Sequence, residues 1–530
     1  MVKPSMEFIR PTSGYSNNLV SSMKMNLAKN PDMKAIICED RWETWAQMWE
    51  RSNRLGNGMY GLGLKKGDRV ALLLKNCFEF PETFVATTKS GFVMSPVNFH
   101  LKASEVAYQL NDCGASAVVA NPEFIDLLKS IGDQVPSLKH IIVTGDYPSS
   151  GVISYERLIA VANPGELDIE ISPNDLHMIL YTSGTTGRPK GAVRGYSEDY
   201  HTGMTVCVEW RIRNGDVQLA VAPLYHAGPC AWYSATLVSG GTLVVVPEFL
   251  PDKVLKAIEK HGVNWMMMVP VMYDRMFSLP EDVLGKHDIS SLRAVISGGA
   301  PLHTPTKLKI KKYFPKAELN EFYGSTELGV STTLRDEDQL RKERSVGRPL
   351  QDLEIKLVGM EGKEVLRGEV GLLYSRGLGG FRGYWNNEQA TNEAFLDNEW
   401  ATVGDLARQD EDGYYYIVDR AKDMIITGGV NVYPVEVEEV LHSMDRILDV
   451  AVIGVPDENW GESVKAMVIP KPGADITEVE IINFCRDRMA GFKVPKSVDL
   501  VEAIPRLATG KILKRELRKK YWKEDSIQVY

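Results

Sequence analysis

The feature that most restricts the fold is a series of short, almost unbroken apolar runs, each followed by a longer amphipathic stretch. They lie at 69–74, 117–120, 140–144, 219–222, 242–247 and 294–297. A strand buried on one face alternates apolar and polar residues, so runs without alternation belong to parallel strands covered by helices on both sides. The first 420 residues are therefore expected to be α/β. From residue 353 the texture changes: closely spaced strand-like pieces at 353–358 and 371–374, with acidic and Gly-rich turns, predict a smaller β-rich unit ending before 420. Beyond it, helices over 434–443 and 477–489 and strands over 450–454 and 464–469 predict a compact α+β unit, with a boundary near Lys422. No internal repeat or coiled-coil heptad appears.

At 530 residues and 44% hydrophobic content the chain can bury several large cores. Its net charge of -9 argues against a nucleic-acid scaffold, which needs a cationic face to meet phosphates. Six scattered cysteines without metal-type spacing suit reduced thiols. The amino terminus lacks the apolar core of a signal peptide and no apolar run is long enough to span a bilayer, so no integral membrane segment and a cytoplasmic location are expected.

Chemistry concentrates first in Tyr-Thr-Ser-Gly-Thr-Thr-Gly-Arg-Pro-Lys-Gly at 181–191, directly after the apolar run 177–180. Three glycines let backbone N–H groups close around an anion, four hydroxyls donate to its oxygens, and Arg188 and Lys190 neutralise it. A Walker A loop is excluded, because Pro189 stands where its second glycine belongs. Such compositions are common in ordinary surface loops; the position behind a buried strand, closed by a lysine, favours a phosphate cradle.

Further segments follow in order. Ser-Gly-Gly-Ala-Pro-Leu at 297–302 could lie flat against a base or an acyl group, and Asn-Glu-Phe-Tyr-Gly-Ser-Thr-Glu at 320–327 offers stacking surface and a metal-binding carboxylate. Asp405 and Arg420 are natural partners of ribose hydroxyls. The stretch 506–523 holds eight Lys or Arg and one Glu, with Lys511 behind a flexible glycine. Taken alone, that stretch reads as a cationic helix face from Lys511 onward, with Ile512, Leu513, Leu517 and Tyr521 inward.

Together, and in this order, the segments closely resemble the adenylate-forming superfamily: acyl-CoA synthetases, firefly luciferases and peptide-synthetase adenylation domains. The resemblance spans essentially the whole chain. It implies a large N-terminal adenylating (AMP-binding) domain of stacked α/β sheets with a β-rich subdomain, 1–421, and a small mobile α+β C-terminal domain, 422–530. It also implies ATP, Mg2+ and coenzyme A, a small-molecule carboxylic acid as substrate, and allows a homodimer. Thr182, Ser183, Gly184, Thr185, Thr186, Gly187 and Lys190 would hold the β- and γ-phosphates. Gly299, Ala300, Pro301, Glu321, Phe322, Tyr323 and Gly324 would line the adenine side, and Asp405 and Arg420 the ribose. Thr326 would meet the α-phosphate, Glu327 and Thr182 would sit at the magnesium, and Lys511 would bridge carboxylate and α-phosphate. His226 matches a gate beside the acyl carbon, Lys422 the hinge, and Gly429 the face that completes the pantetheine tunnel.

Two positions depart from the family pattern: Val403 stands where a threonine is common, and Glu321 where an uncharged residue is common. The acyl pocket is expected from Tyr225, His226, Met268, Val271, Gly299 and Gly324, an adaptable apolar lining without a cation for a second carboxylate. The implied activity is an AMP-forming acyl-CoA synthetase, an acid–thiol ligase, for a medium-chain, branched or cyclic acid, with an aryl acid as the alternative. An amino-acid adenylation domain lacks support, since 224–228 carries no acid to pair an ammonium. A luciferase-like oxygenase or a non-catalytic nucleotide-binding protein is the more distant reading.

Overall fold

The computed structural model describes residues 18–145, 150–182, 188–359, 361–506 and 512–522. Two large sheets carry the first part of the chain. In one, the strands run in the order Ile153–Ser154, His140–Val143, Ala115–Ala120, Arg69–Leu73, Val93–Pro96, Leu176–Thr182, Lys190–Gly195, and only the last pairs antiparallel. The other is nine-stranded, with a parallel centre that includes Val217–Ala220, Trp265–Met268, Ala294–Ser297 and Glu318–Ser325 and antiparallel strands at its edges. All four residues of Ala294–Ser297 and of Thr242–Val245 are buried, as expected for strands covered on both faces.

What joins the two sheets is a shared layer of helices. Ala227–Ser239 carries no charged residue and is apolar nearly all round, so it is stable only inside. Its Cys230, Tyr233 and Leu237 pack in one core with Trp45 and Met48 of the helix Trp45–Gly61 and Phe84 of Glu79–Ser90.

The β-rich unit begins at Leu353–Val358 and ends with Asp405–Gln409 and Tyr415–Arg420, around Leu373, Phe381 and Tyr415. The last unit wraps the helices Pro434–His442 and Glu478–Arg486 against a sheet built on the long hairpin Ile447–Asp457 and Gly461–Pro470. Thr477 and Glu480 form a reciprocal cap that starts the second of these helices. Among the described residues, the two clusters of buried apolar side chains in this unit contain nothing before Ile425.

One expected element differs. The helix anticipated from Lys511 onward begins at Lys514, because Ile512 forms a β-bridge with Arg506 and Leu513 adopts φ -93, ψ 71. Nor is its cationic face simply solvated: Lys514 is ion-paired with Glu438 at 2.8 Å, and Arg518 with Asp423 at 3.0 Å.

Candidate active site

The strands that flank the expected phosphate loop pair antiparallel as a hairpin. Thr182 ends one strand and Lys190 opens the next, directly opposite in register. The Lys190 ammonium lies 5.2 Å from the centre of the Tyr384 ring. Ser183, Gly184, Thr185, Thr186 and Gly187 lie outside the described residues.

A second hairpin tip faces the first. The strands Glu318–Ser325 and Gly329–Leu334 pair down to Ser325 opposite Gly329, which leaves Thr326, Glu327 and Leu328 as the turn. Gly329 has φ +68, and a Cβ there would stand 2.6 Å from the Gly379 carbonyl oxygen, so the close approach requires glycine. The turn buries the Glu327 carboxylate, whose Oε1 accepts from Thr182 Oγ1 at 3.3 Å and from the Tyr384 hydroxyl at 2.9 Å. Burial beside Glu327 pushes the Tyr384 phenol up, so it remains a donor. Sequence reasoning did not single out Tyr384, which lies in no glycine-rich or charged pattern.

Next to this tip, Tyr323 donates to Asp405 Oδ2 at 2.7 Å, and Arg420 Nε lies 3.0 Å from Asp405 Oδ1. Asp405 and Arg420 are register partners on adjacent strands, which fixes the pair. The expected ribose-side residues thus converge with Tyr323 from another sheet.

The strand through Glu321, Phe322 and Tyr323 alternates. Glu321 Oε2 is ion-paired with Lys307 Nζ at 2.6 Å, both buried, and its Oε1 accepts from the Leu302 N–H at 3.2 Å, just past Gly299, Ala300 and Pro301. Burial pushes the Glu321 carboxyl up against the pull of Lys307. Lys307 explains how a charged residue stands at this position. Phe322, expected beside the adenine with its neighbours, points to the other face, where its ring centre is 5.0 Å from Trp232 and 5.9 Å from Trp210.

On the acyl side, His226 caps the buried helix Ala227–Ser239. Burial, reinforced by the neighbouring His100, lowers its pKa to about 4, so the imidazole is neutral. Its ring lies 4.2 Å from that of Tyr225, whose phenol burial raises to about 12.

Two of the expected lining residues are placed elsewhere. Met268 faces the core formed with Tyr273 and Met276, on the far side of the strand Trp265–Met268. Val271 is 47% exposed on the following helix. Met267 and Trp265 instead share the face that carries Trp232 and Phe322. Gly299, with φ +81, borders this cluster, since a Cβ there would stand 3.6 Å from Val269, whereas a Cβ on Gly324 would meet the Gly329 carbonyl oxygen across the hairpin at 2.1 Å.

Lys422 sits in the short 3-10 turn Ala421–Asp423, where Arg518 donates to the carbonyls of Lys422 at 3.1 Å and Asp423 at 3.3 Å. Gly429, φ +80, lies in the exposed turn between Ile425–Thr427 and Val430–Val432. Lys511 lies outside the described residues. Across the boundary, Asp419 accepts from the Val435 N–H at 3.1 Å, and Arg344 pairs with Glu439.

The described residues offer a buried carboxylate held by two hydroxyls, a carboxylate–guanidinium pair suited to vicinal hydroxyls, and an aromatic cluster behind a neutral histidine. Comparison with known proteins identifies the family. The AMP-binding enzyme family matches residues 23–385, and the AMP-binding enzyme C-terminal domain residues 436–511. A feruloyl-CoA synthase of Amycolatopsis sp is 36% identical, covering 90% of this chain and 94% of its own. The long-chain-fatty-acid–CoA ligase FadD13 of Mycobacterium tuberculosis is 37% identical, covering 95% and 98%. The crystal structure of ATP-bound MatB from Rhodopseudomonas palustris superposes with a TM-score of 0.87 at 32% identity, covering 96% and 99%.

Proposed function

Since the chain belongs to the AMP-binding enzyme family and is an acid–thiol ligase of the acyl-CoA synthetase type, we propose that it joins a medium-chain, branched or cyclic monocarboxylate to coenzyme A through an acyl-adenylate. The observation that carries this reading is the convergence of Thr182, Tyr384 and Glu327 beside Tyr323, Asp405 and Arg420, residues far apart in sequence whose hydroxyls, carboxylates and guanidinium supply groups that a bound nucleotide would use.

In the first step a substrate carboxylate oxygen attacks the α-phosphorus, and the bond to the β-phosphate oxygen breaks to release pyrophosphate. Thr182, Lys190 and the loop between them hold the departing phosphates, Thr326 meets the α-phosphate, and Asp405 with Arg420 fixes the ribose. Lys511 balances the charge that develops between carboxylate and phosphate. The oxygen donors of Glu327 and Thr182 suit Mg2+, a hard cation that favours carboxylate and phosphate oxygens. When bound, it would supply charge neutralisation to the phosphates.

In the second step the coenzyme A thiolate attacks the acyl carbon, AMP leaves, and a thioester results. Neutral His226 shields that carbon without competing as a cation. We place the adenylating unit at 1–421 and the C-terminal unit at 422–530, pivoting at Lys422, with Gly429 on the face presented for thioester formation. We further propose a cytoplasmic location. Among the described residues no helix is long and apolar enough to cross a membrane.

The test is pyrophosphate release and thioester mass across acids from acetate to palmitate, with benzoate and cyclohexanecarboxylate included. ATP-dependent, acid-dependent formation of both products is expected, with an optimum above acetate. An optimum at acetate or at a dicarboxylate would overturn the substrate reading. An aryl acid is the second reading, favoured by the Trp210, Trp232 and Phe322 cluster.

A further inference from the structure

The floor of the acyl compartment can be located from two directions. Gly228 lies in the first turn of the helix that His226 caps, and Trp232 follows one turn later on the same face. A Cβ placed on Gly228 would stand 3.4 Å from Trp232 Nε1, so the indole nitrogen edge faces that turn. From the sheet side, a Cβ on Gly298 would stand 2.2 Å from the Phe322 ring, so Phe322 lies directly beneath the Gly298–Gly299 backbone. Trp232 and Phe322 meet edge to face at 5.0 Å. Both walls that border the acyl carbon therefore end on the same aromatic pair. Behind it, Trp210, Trp265, Met267 and Ile296 fill the space, and Trp232 itself is only 2% exposed.

The floor itself carries an unsatisfied donor, as does Trp265 Nε1 in the layer behind it. The Trp232 Nε1–H is buried and has no hydrogen-bond partner among the described residues. An indole nitrogen is a donor only, and buried donors are nearly always paired. An oxygen acceptor on the far end of an acid would supply the partner, and an all-carbon acid of the same shape would leave the N–H unpaired.

We propose that the acyl site is a short compartment floored by Trp232 and Phe322, and that Trp232 Nε1 selects compact cyclic or aryl monocarboxylates carrying an ether, methoxy or keto oxygen on the ring. This rests on the ligase reading above and names the substrate class within it. Trp232 acts on the tail of the acid and takes no part in the transfer itself.

The experiment compares isosteric pairs by pyrophosphate release: tetrahydropyran carboxylates, with the ring oxygen at each position, against cyclohexanecarboxylate, and methoxybenzoates against ethylbenzoates, with palmitate alongside. The wild-type protein should prefer the best oxygen-bearing member in kcat/KM by roughly 10- to 100-fold. Trp232→Phe keeps an aromatic floor but removes the donor, and should erase that ratio while all-carbon acids are still activated. Gly228→Ala, which adds a methyl at ordinary contact distance from Nε1 and favours the helix, should lower the ratio even if Trp232→Phe fails to fold. An unchanged ratio in a folded variant, or a wild-type preference for the all-carbon acids, overturns the proposal. So does palmitate as the best substrate, which would leave the ligase reading standing. Pyrophosphate from no acid at all, palmitate included, would overturn both.

Discussion

At the scale of single residues, Glu327 and His226 are both largely buried but held differently. Glu327 sits in a buried turn, where Thr182 and Tyr384 hold the same carboxylate oxygen. Glu327→Gln keeps the size and removes the charge, so adenylation should slow by about 100-fold or more while the acid's apparent KM changes less, because the acyl compartment is built elsewhere. Single-turnover formation of acyl-AMP is the measurement, and a wild-type rate would remove Glu327 from the metal side. His226 must stay neutral. Its folded pKa of about 4 lies below the ordinary 6.5, so the folded state holds the proton less tightly than the unfolded chain. The stability this contributes is fully present above pH 6.5 and is lost as pH falls toward 4, roughly 3 kcal/mol in all. Melting curves across that window should fall more steeply for wild type than for His226→Asn; parallel curves would contradict the buried neutral imidazole.

At the scale of elements, the sequence carries the strands plainly and their phase hardly at all. The runs at 69–74, 117–120 and 294–297 became strands within a residue or two, because only a doubly covered strand tolerates unbroken apolar content. The same property hides which residue faces which layer. In Trp265–Met268 every side chain is buried, so nothing in Trp-Met-Met-Met marks Met267 rather than Met268 for the acyl side. Phe322 differs: its strand does alternate, and it faces Trp232 while Glu321 and Tyr323 face the other way. Tyr384 and Lys307 were invisible because each acts through a partner far away in the chain, and only tertiary packing brings them to Glu327 and Glu321. The phase assignment is testable. Met268→Ala should cost roughly 2–5 kcal/mol of stability and leave the ranking of acids unchanged, whereas Met267→Ala should shift that ranking toward bulkier acids. Urea denaturation and the pyrophosphate assay measure the two effects; a specificity change in Met268→Ala alone would reverse the assignment of faces.

At the scale of the whole molecule, the contacts that cross the boundary near Lys422 are polar, while each side keeps its own apolar clusters. Polar contacts can be exchanged for water or for other polar partners at small net cost, so a body joined this way can take a second pose without exposing a core. The proposed pivot is gripped from one side: Arg518 holds the carbonyls of Lys422 and Asp423 and pairs with the Asp423 carboxylate, so these residues belong mechanically to the C-terminal body. A rotation there would be absorbed at the backbone torsions of Lys422 and its preceding neighbour. Proline at that position locks its own φ and restricts the residue before it. Lys422→Pro should therefore retain acyl-AMP formation while slowing thioester formation by orders of magnitude. Lys511→Ala should do the reverse, failing to form acyl-AMP from ATP yet converting supplied acyl-AMP and coenzyme A into thioester. Both half-reactions measured on both variants decide the matter. If each variant loses the two steps equally, the C-terminal body does not alternate between them, and Lys511 acts only as one more cation near the site.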